Sequence, residues 1–163
     1  MDEVRRVKPG EAPALFELAR EVWTEHYPPI IGADMTEYLL ENFHSREIIQ
    51  SELESGSVRY AAVPEGGGFV AYVGYYPLDG GIFVSKVYVH KNHRKKGYAG
   101  ALLRHILHEN PDIEFLRLYV NRNNVRSIEA YRKLGFKNRG VYKKEIGGGY
   151  FYAPNFYTLI MLK

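Results

Sequence analysis

Apolar positions recur along this chain with two periods, one helical and one extended. Leu15, Leu18, Ala19, Val22 and Trp23 fall at helical spacing and predict a helix with one apolar face. It begins near Ala12-Pro13, where proline is tolerated in the first turn, and Pro28-Pro29 and Gly32 end it. A second helical stretch is predicted from about Thr36 to about Leu53, broken at His44-Ser45. Residues 58–63 and 69–76 are β-rich runs joined through Pro64-Glu65-Gly66-Gly67-Gly68, which predicts a hairpin. Ahead of all these, residues 4–7 read as a short strand, and Pro9-Gly10 separates it from the first helix.

The second half continues the alternation. Residues 82–90, rich in β-branched and aromatic side chains, predict a strand. Ala99, Leu102, Leu103, Ile106 and Leu107 then define an amphipathic helix that Asn110-Pro111 stops. Residues 113–120 form the next predicted strand. Asn124 is placed to cap a helix from Val125 to about Leu134, with Gly135 as its left-handed terminator. Residues 136–146 and 150–162 read as two final strands around Gly147-Gly148-Gly149. The order β, α, α, β, β, β, α, β, α, β, β predicts a layered sheet. Within it, the strand–helix–strand unit 82–120 puts two strands parallel through a right-handed crossover.

Composition narrows the class. A chain of 163 residues suits a single domain, residues 1–163, and its 45% hydrophobic and 25% charged content excludes a disordered tract. No apolar run approaches the roughly eighteen residues of a membrane span. The opening Met1-Asp2-Glu3-Val4-Arg5-Arg6 lacks the apolar core of a secretory signal. There is no cysteine, which removes disulfides, cysteine–zinc sites and a thiol nucleophile together. The expectation is a cytoplasmic protein without membrane attachment.

Charge changes the picture more. Residues 1–79 carry 14 acidic against 6 basic side chains, and residues 80–163 carry 5 against 16. No acidic residue stands between Asp79 and Glu109, where Lys86, Lys91, Arg94, Lys95, Lys96 and Arg104 fall together with four of the six histidines. Such a segment concentrates an anionic partner: nucleic acid, an anionic lipid surface or a phosphorylated small molecule. The alternative is a solvated basic face.

The basic stretch lies between a predicted strand and a predicted helix, in Val87-Tyr88-Val89-His90-Lys91-Asn92-His93-Arg94-Lys95-Lys96-Gly97-Tyr98-Ala99-Gly100. A helix start leaves backbone N–H groups unpaired and carries partial positive charge, which suits phosphate. Small residues at Gly97, Ala99 and Gly100 allow close approach. Arg94, Lys95 and Lys96 are expected in the first helical turn, where the macrodipole disfavours cations by about 0.3–1 kcal/mol each. A bound anion would reverse that repulsion. Neither G-x-x-x-x-G-K-[ST] nor G-x-G-x-x-G occurs, and H-E-x-x-H is absent. His90-x-x-His93 and His105-x-x-His108 make only a weak metal case, and no metal is expected.

Arg94-x-x-Gly97-x-Ala99 resembles the acyl-CoA-binding signature of the GNAT superfamily of N-acetyltransferases, [Q/R]-x-x-G-x-[G/A], in its required setting between a strand and a helix. Some way on, Asn124-Val125-Arg126-Ser127-Ile128-Glu129-Ala130-Tyr131-Arg132-Lys133-Leu134-Gly135-Phe136 resembles the family's second signature, N-x-x-[A/S]-x-x-x-Y-x-K-x-G-F. The element order matches across nearly the whole chain. The N-terminal half resembles bacterial polyamine acetyltransferases loosely.

The resemblance implies an α/β (α+β) fold. Its central sheet is mixed and mostly antiparallel, with two splayed parallel strands and helices on both faces. It implies acetyl-CoA as cosubstrate, its pantetheine arm along Val87, Tyr88 and Val89 and its pyrophosphate on the loop Arg94, Lys95, Lys96, Gly97, Tyr98, Ala99 and Gly100. Asn124 and Lys133 would contact the cofactor, with the Tyr131 hydroxyl near its sulfur as general acid. The implied reaction is direct acetyl transfer to a primary amine of a small molecule or peptide, in a monomer or homodimer with no nucleic-acid partner. A non-catalytic acyl-CoA-binding module is the alternative. Where many relatives carry a glutamate base, this chain has Ser85 and Lys86, so Glu25, His26 or a water chain are the candidates for that task. Glu17, Glu21, Glu25, Asp34, Glu37 and Glu41, with Trp23, Tyr27 and Tyr38, would give an acidic, aromatic acceptor cleft or simply solvated helix faces.

Overall fold

A computed structural model describes residues 3–142, 145–147, 150–151 and 156–162. A short strand β1 (Arg5–Arg6) and a 3-10 turn lead into α1 (Ala12–His26). Then come α2 (Pro28–Ile31), α3 (Ala33–Phe43), α4 (Arg46–Ser55), β2 (Arg59–Glu65), β3 (Gly68–Leu78) and β4 (Gly81–Val89). A second 3-10 turn precedes α5 (Tyr98–Glu109). The chain closes with β5 (Phe115–Asn121), α6 (Val125–Lys133), β6 (Lys137–Tyr142), β7 (Glu145–Gly147), β8 (Tyr150–Phe151) and β9 (Phe156–Leu162).

Seven strands form one sheet in the order β1-β2-β3-β4-β5-β9-β6. Its pairings are mostly antiparallel, and β4 with β5 is the parallel pair that the strand–helix–strand unit predicts. The chain divides into two compact units, residues 1–76 with 85–111 and residues 77–84 with 112–163.

In the first unit β2 and β3 are buried almost continuously, Tyr60 to Val63 and Phe69 to Val73, as expected where helices cover both faces of a sheet. The apolar face of α1 buries Leu15, Leu18, Ala19, Val22 and Trp23, and α5 buries Leu102, Leu103 and Ile106. The break at His44-Ser45 is where α3 gives way to α4, because the Ser45 hydroxyl caps the new helix by accepting from the Ile48 N–H at 3.2 Å. Pro28-Pro29 end α1 as expected and do something more. These prolines also open the four-residue α2, since proline lacks only an N–H that the first turn cannot use, and Gly32 at φ +90° then turns the chain into α3.

In the second unit the parallel ladder pairs Gly81 with Phe115, Ile82 with Leu116 and Phe83 with Arg117, and β4 continues past it to Val89. Leu116, Leu118 and Val120 alternate into the core beside Leu159 of β9. The two final strands of the sequence reading are four. Gly140 at φ +131° lies where the β6–β9 register shifts, and β7 and β8 form a separate antiparallel ribbon across the glycine run. Gly148 and Gly149 fall outside the described residues. No helix among the described residues is long and apolar enough to cross a membrane.

Candidate functional site

The first unit holds the strand end, the basic loop and the helix start that the charge pattern singled out. Helix α5 begins later than expected, at Tyr98, because Gly97 adopts a left-handed φ of +85° as its N-cap. Arg94, Lys95 and Lys96 therefore precede the helix instead of occupying its first turn. Lys95 is itself left-handed at φ +64°, a conformation costing a non-glycine residue about 1–2 kcal/mol. Lys95 and Lys96 are exposed, Tyr98 and Gly100 are buried, and Ala99 is half-buried.

The geometry suits an anion. First-turn amides have no carbonyl one turn earlier, and no side chain of Gly97 caps them. The first intrahelical bond runs from the Ala101 N–H to the Gly97 carbonyl at 3.0 Å. A left-handed residue leading into a right-handed helix also turns successive N–H groups toward one concave side.

The loop is tied to α1 and to the β2–β3 hairpin. His90 Nε2 lies 3.0 Å from Glu21 while its Nδ1 accepts from the Asn92 N–H at 3.2 Å, which makes Nε2 the donor. His93 approaches Glu65 at 3.5 Å, and Arg94 pairs with Glu25 at 2.9 Å. Arg94, expected on the pyrophosphate, is thus held by a carboxylate, and Glu25 is held by Arg94. Arg20, Glu21, Thr24, Glu25, His90 and Lys91 line a cavity of about 360 Å³ beside these ties. No cluster of three candidate metal ligands occurs among the described residues.

Behind β4 lies an aromatic cluster. Tyr88 of the 87–89 strand meets the Tyr27 hydroxyl with its own, and both rings flank Trp23, at 5.6 Å and 5.2 Å between centroids. Burial pushes the Tyr27 hydroxyl up to about 12, the Tyr88 hydrogen bond opposing it. Trp23 Nε1 donates to the Tyr72 hydroxyl at 3.1 Å, and that hydroxyl is hydrogen-bonded to His44 Nε2 at 2.9 Å. His44 Nδ1 has no hydrogen-bond partner among the described residues. His26 lies edge-on to Tyr27. Asp34, Glu37 and Glu41 are exposed on α3, Glu17 is exposed on α1 within 3.9 Å of Arg20, and Glu21 and Glu25 are paired with His90 and Arg94.

This buried imidazole makes stability depend on pH. Desolvation, with Lys86 nearby, holds the His44 pKa well below 6.5 in the folded chain. Its contribution is complete above pH ~6.5 and is lost as pH falls, because the unfolded chain takes up a proton that the folded one refuses. Unfolding midpoints in denaturant should therefore fall between pH 7 and about pH 5 in the parent, and fall less in His44→Phe. Equal slopes in both would contradict the assignment.

The second unit carries the other expected residues. Asn124 is buried, and its side chain caps α6 by accepting from the Ser127 N–H at 3.3 Å. Tyr131 is half-buried two helical turns on, its ring edge-on to Phe136 at 5.5 Å, and Lys133 is exposed at the helix end. The sequence reading missed the ties of Glu21, Glu25 and Glu65 and the Tyr27–Tyr88 contact. Glu21 and Glu25 share a helix face at i,i+4, but nothing local names partners that distant.

The model of the acetyltransferase (GNAT) family matches residues 13–136. A curated relative, human N-acetyltransferase 8, is 28% identical over 137 residues covering 78% of this chain. The aligned region spans 56% of that relative's length. Among solved structures, the PaiA N-acetyltransferase of Thermoplasma acidophilum in complex with coenzyme A superposes with a TM-score of 0.80 at 20% identity, covering 100% of this chain and 99% of that one. The ribosomal-protein-S18-alanine N-acetyltransferase of Escherichia coli gives 0.71 at 15% identity, with coverage of 99% and 94%. At such identities the likeness speaks to the fold.

Proposed function

Because the chain belongs to the GNAT acetyltransferase family, we propose that it transfers an acetyl group from acetyl-CoA to a primary amine of a small molecule or peptide. The matched span runs through both compact units, and we read them as halves of one domain. The observation that carries the proposal is the start of α5: a left-handed Gly97, first-turn amides without a side-chain cap, and exposed Lys95 and Lys96. These groups fit a diphosphate, since amides fix its oxygens and flexible cations neutralise it at the rim.

Acetyl-CoA, when bound, supplies an activated thioester. The chain's own groups then orient it and manage charge. Backbone groups of Val87, Tyr88 and Val89 take the pantetheine arm, and an N–H of this strand donates to the acetyl oxygen as negative charge develops there. Asn124 and Lys133 would contact the cofactor. The Tyr131 hydroxyl gives its proton to the departing sulfur, a transfer made accessible by reference pKa values of ~8.5 for a thiol and ~10 for tyrosine. Transfer to the amine is direct, in a ternary complex, and the proton that the attacking nitrogen loses passes to solvent, from which Tyr131 is reprotonated.

A panel of primary amines tests this, with free thiol followed as it is released. Thiol released in step with acetylated amine supports the proposal. Saturable acetyl-CoA binding with no acetylation anywhere in the panel would identify a non-catalytic binding module instead.

A further inference from the structure

We infer that Glu25 is a positioning residue for the α5 loop: acting through Arg94, it fixes the backbone that presents the first-turn amides. The inference rests on reading that loop as the acetyl-CoA site.

Arg94 joins three parts of the first unit. Its Nε donates to the Val89 carbonyl at 3.3 Å, rooting it at the end of β4. Its two terminal nitrogens meet the two Glu25 oxygens at 2.9 Å and 3.4 Å, rooting it on α1. This fork engages both carboxylate oxygens, the arrangement that makes arginine pairs specific in geometry. Both side chains are sheltered, with 26% and 32% exposure, so salt and water screen the pair less than they would a surface bridge.

The next residue shows what the fork holds. Lys95 sits in a left-handed conformation that a lysine adopts only where its surroundings impose it, and Gly97 follows in the same region. The Arg94 anchor stands immediately before this strained lysine. One turn earlier on α1, a single Glu21 oxygen lies 3.0 Å from His90 Nε2.

Electrostatics and positioning predict opposite signs, which separates them. Removing the Glu25 carboxylate adds one positive charge beside a phosphate site, and charge alone would then tighten acetyl-CoA binding. Positioning predicts weaker binding, since disordered amides must be ordered on association. The chemical step should be spared.

The test combines calorimetry with acetyl-CoA, steady-state kinetics and limited trypsin digestion of the free protein. Glu25→Gln and Glu25→Ala should weaken acetyl-CoA binding, about tenfold for alanine, and raise its KM while kcat stays within about twofold. Cleavage after Arg94, Lys95 or Lys96 should become several-fold faster in the free variants, about fivefold or more for alanine. In an Arg94→Ala background, Glu25→Ala should add nothing further. Unchanged or tighter binding in both variants overturns the inference. So does a fall in kcat at constant KM, which would place Glu25 in the chemistry. If the parent protein bound no acetyl-CoA, the functional reading would fail, and digestion alone would decide whether Glu25 orders the loop.

Discussion

Tyr131→Phe is expected to lower kcat about 10²–10⁴-fold, the range for loss of a positioned general acid, while leaving acetyl-CoA affinity within about twofold. The substitution removes one oxygen and keeps the ring. Its edge-on contact with Phe136 survives, as does the Tyr131 carbonyl that accepts the Phe136 N–H at 3.0 Å and ends the helix. Packing therefore changes little, and a drop in turnover reports on the hydroxyl. Steady-state kinetics at saturating acetyl-CoA, with the melting temperature as control, measures it. Turnover equal to that of the parent would remove Tyr131 from the proton transfer.

Gly97→Val should weaken acetyl-CoA binding by about 100-fold or more. At φ +85° a β-carbon meets its own backbone, costing about 1–2 kcal/mol, and a β-branched residue fares worse. The chain escapes that strain only by rotating the backbone at the helix start, which moves the amides. Displacements near 1 Å are enough for losses of about 10²-fold at sites that depend on orientation. Gly97 is exposed, so the substitution buries no new bulk and the melting temperature should fall by only a few degrees, about 2–4 °C per kcal/mol. Binding within about threefold of the parent, in a variant that still melts cooperatively, would show that the geometry of Gly97 is dispensable.

The sequence was most readable where the physics is local. The apolar stripe of α1, the break at His44-Ser45 and the Asn124 cap follow from neighbours a few residues apart, and each stands in the structure as predicted. Pro28-Pro29 end α1 as expected, but the short α2 was not legible because the same residue that stops one helix can begin the next. Arg94, Lys95 and Lys96 were placed a turn too late, since composition marks a basic helix start without marking where its left-handed N-cap falls. Glu25 and Arg94 are 69 positions apart, and Tyr27 and Tyr88 are 61 apart. No periodicity encodes such pairs. They arise only once β4 has been laid beside α1. The Glu25–Arg94 ion pair is what the proposed positioning role rests on, and no local pattern announces it.

The most direct measurement is a calorimetric titration of the parent protein with acetyl-CoA at low salt and again at about 0.5 M salt. Saturable binding with a Kd on the order of micromolar, weakened at high salt as exposed Lys95 and Lys96 are screened, is the predicted result. A trace with no heat of binding at either salt, and no protection of the α5 start from trypsin by the thioester, would contradict the account.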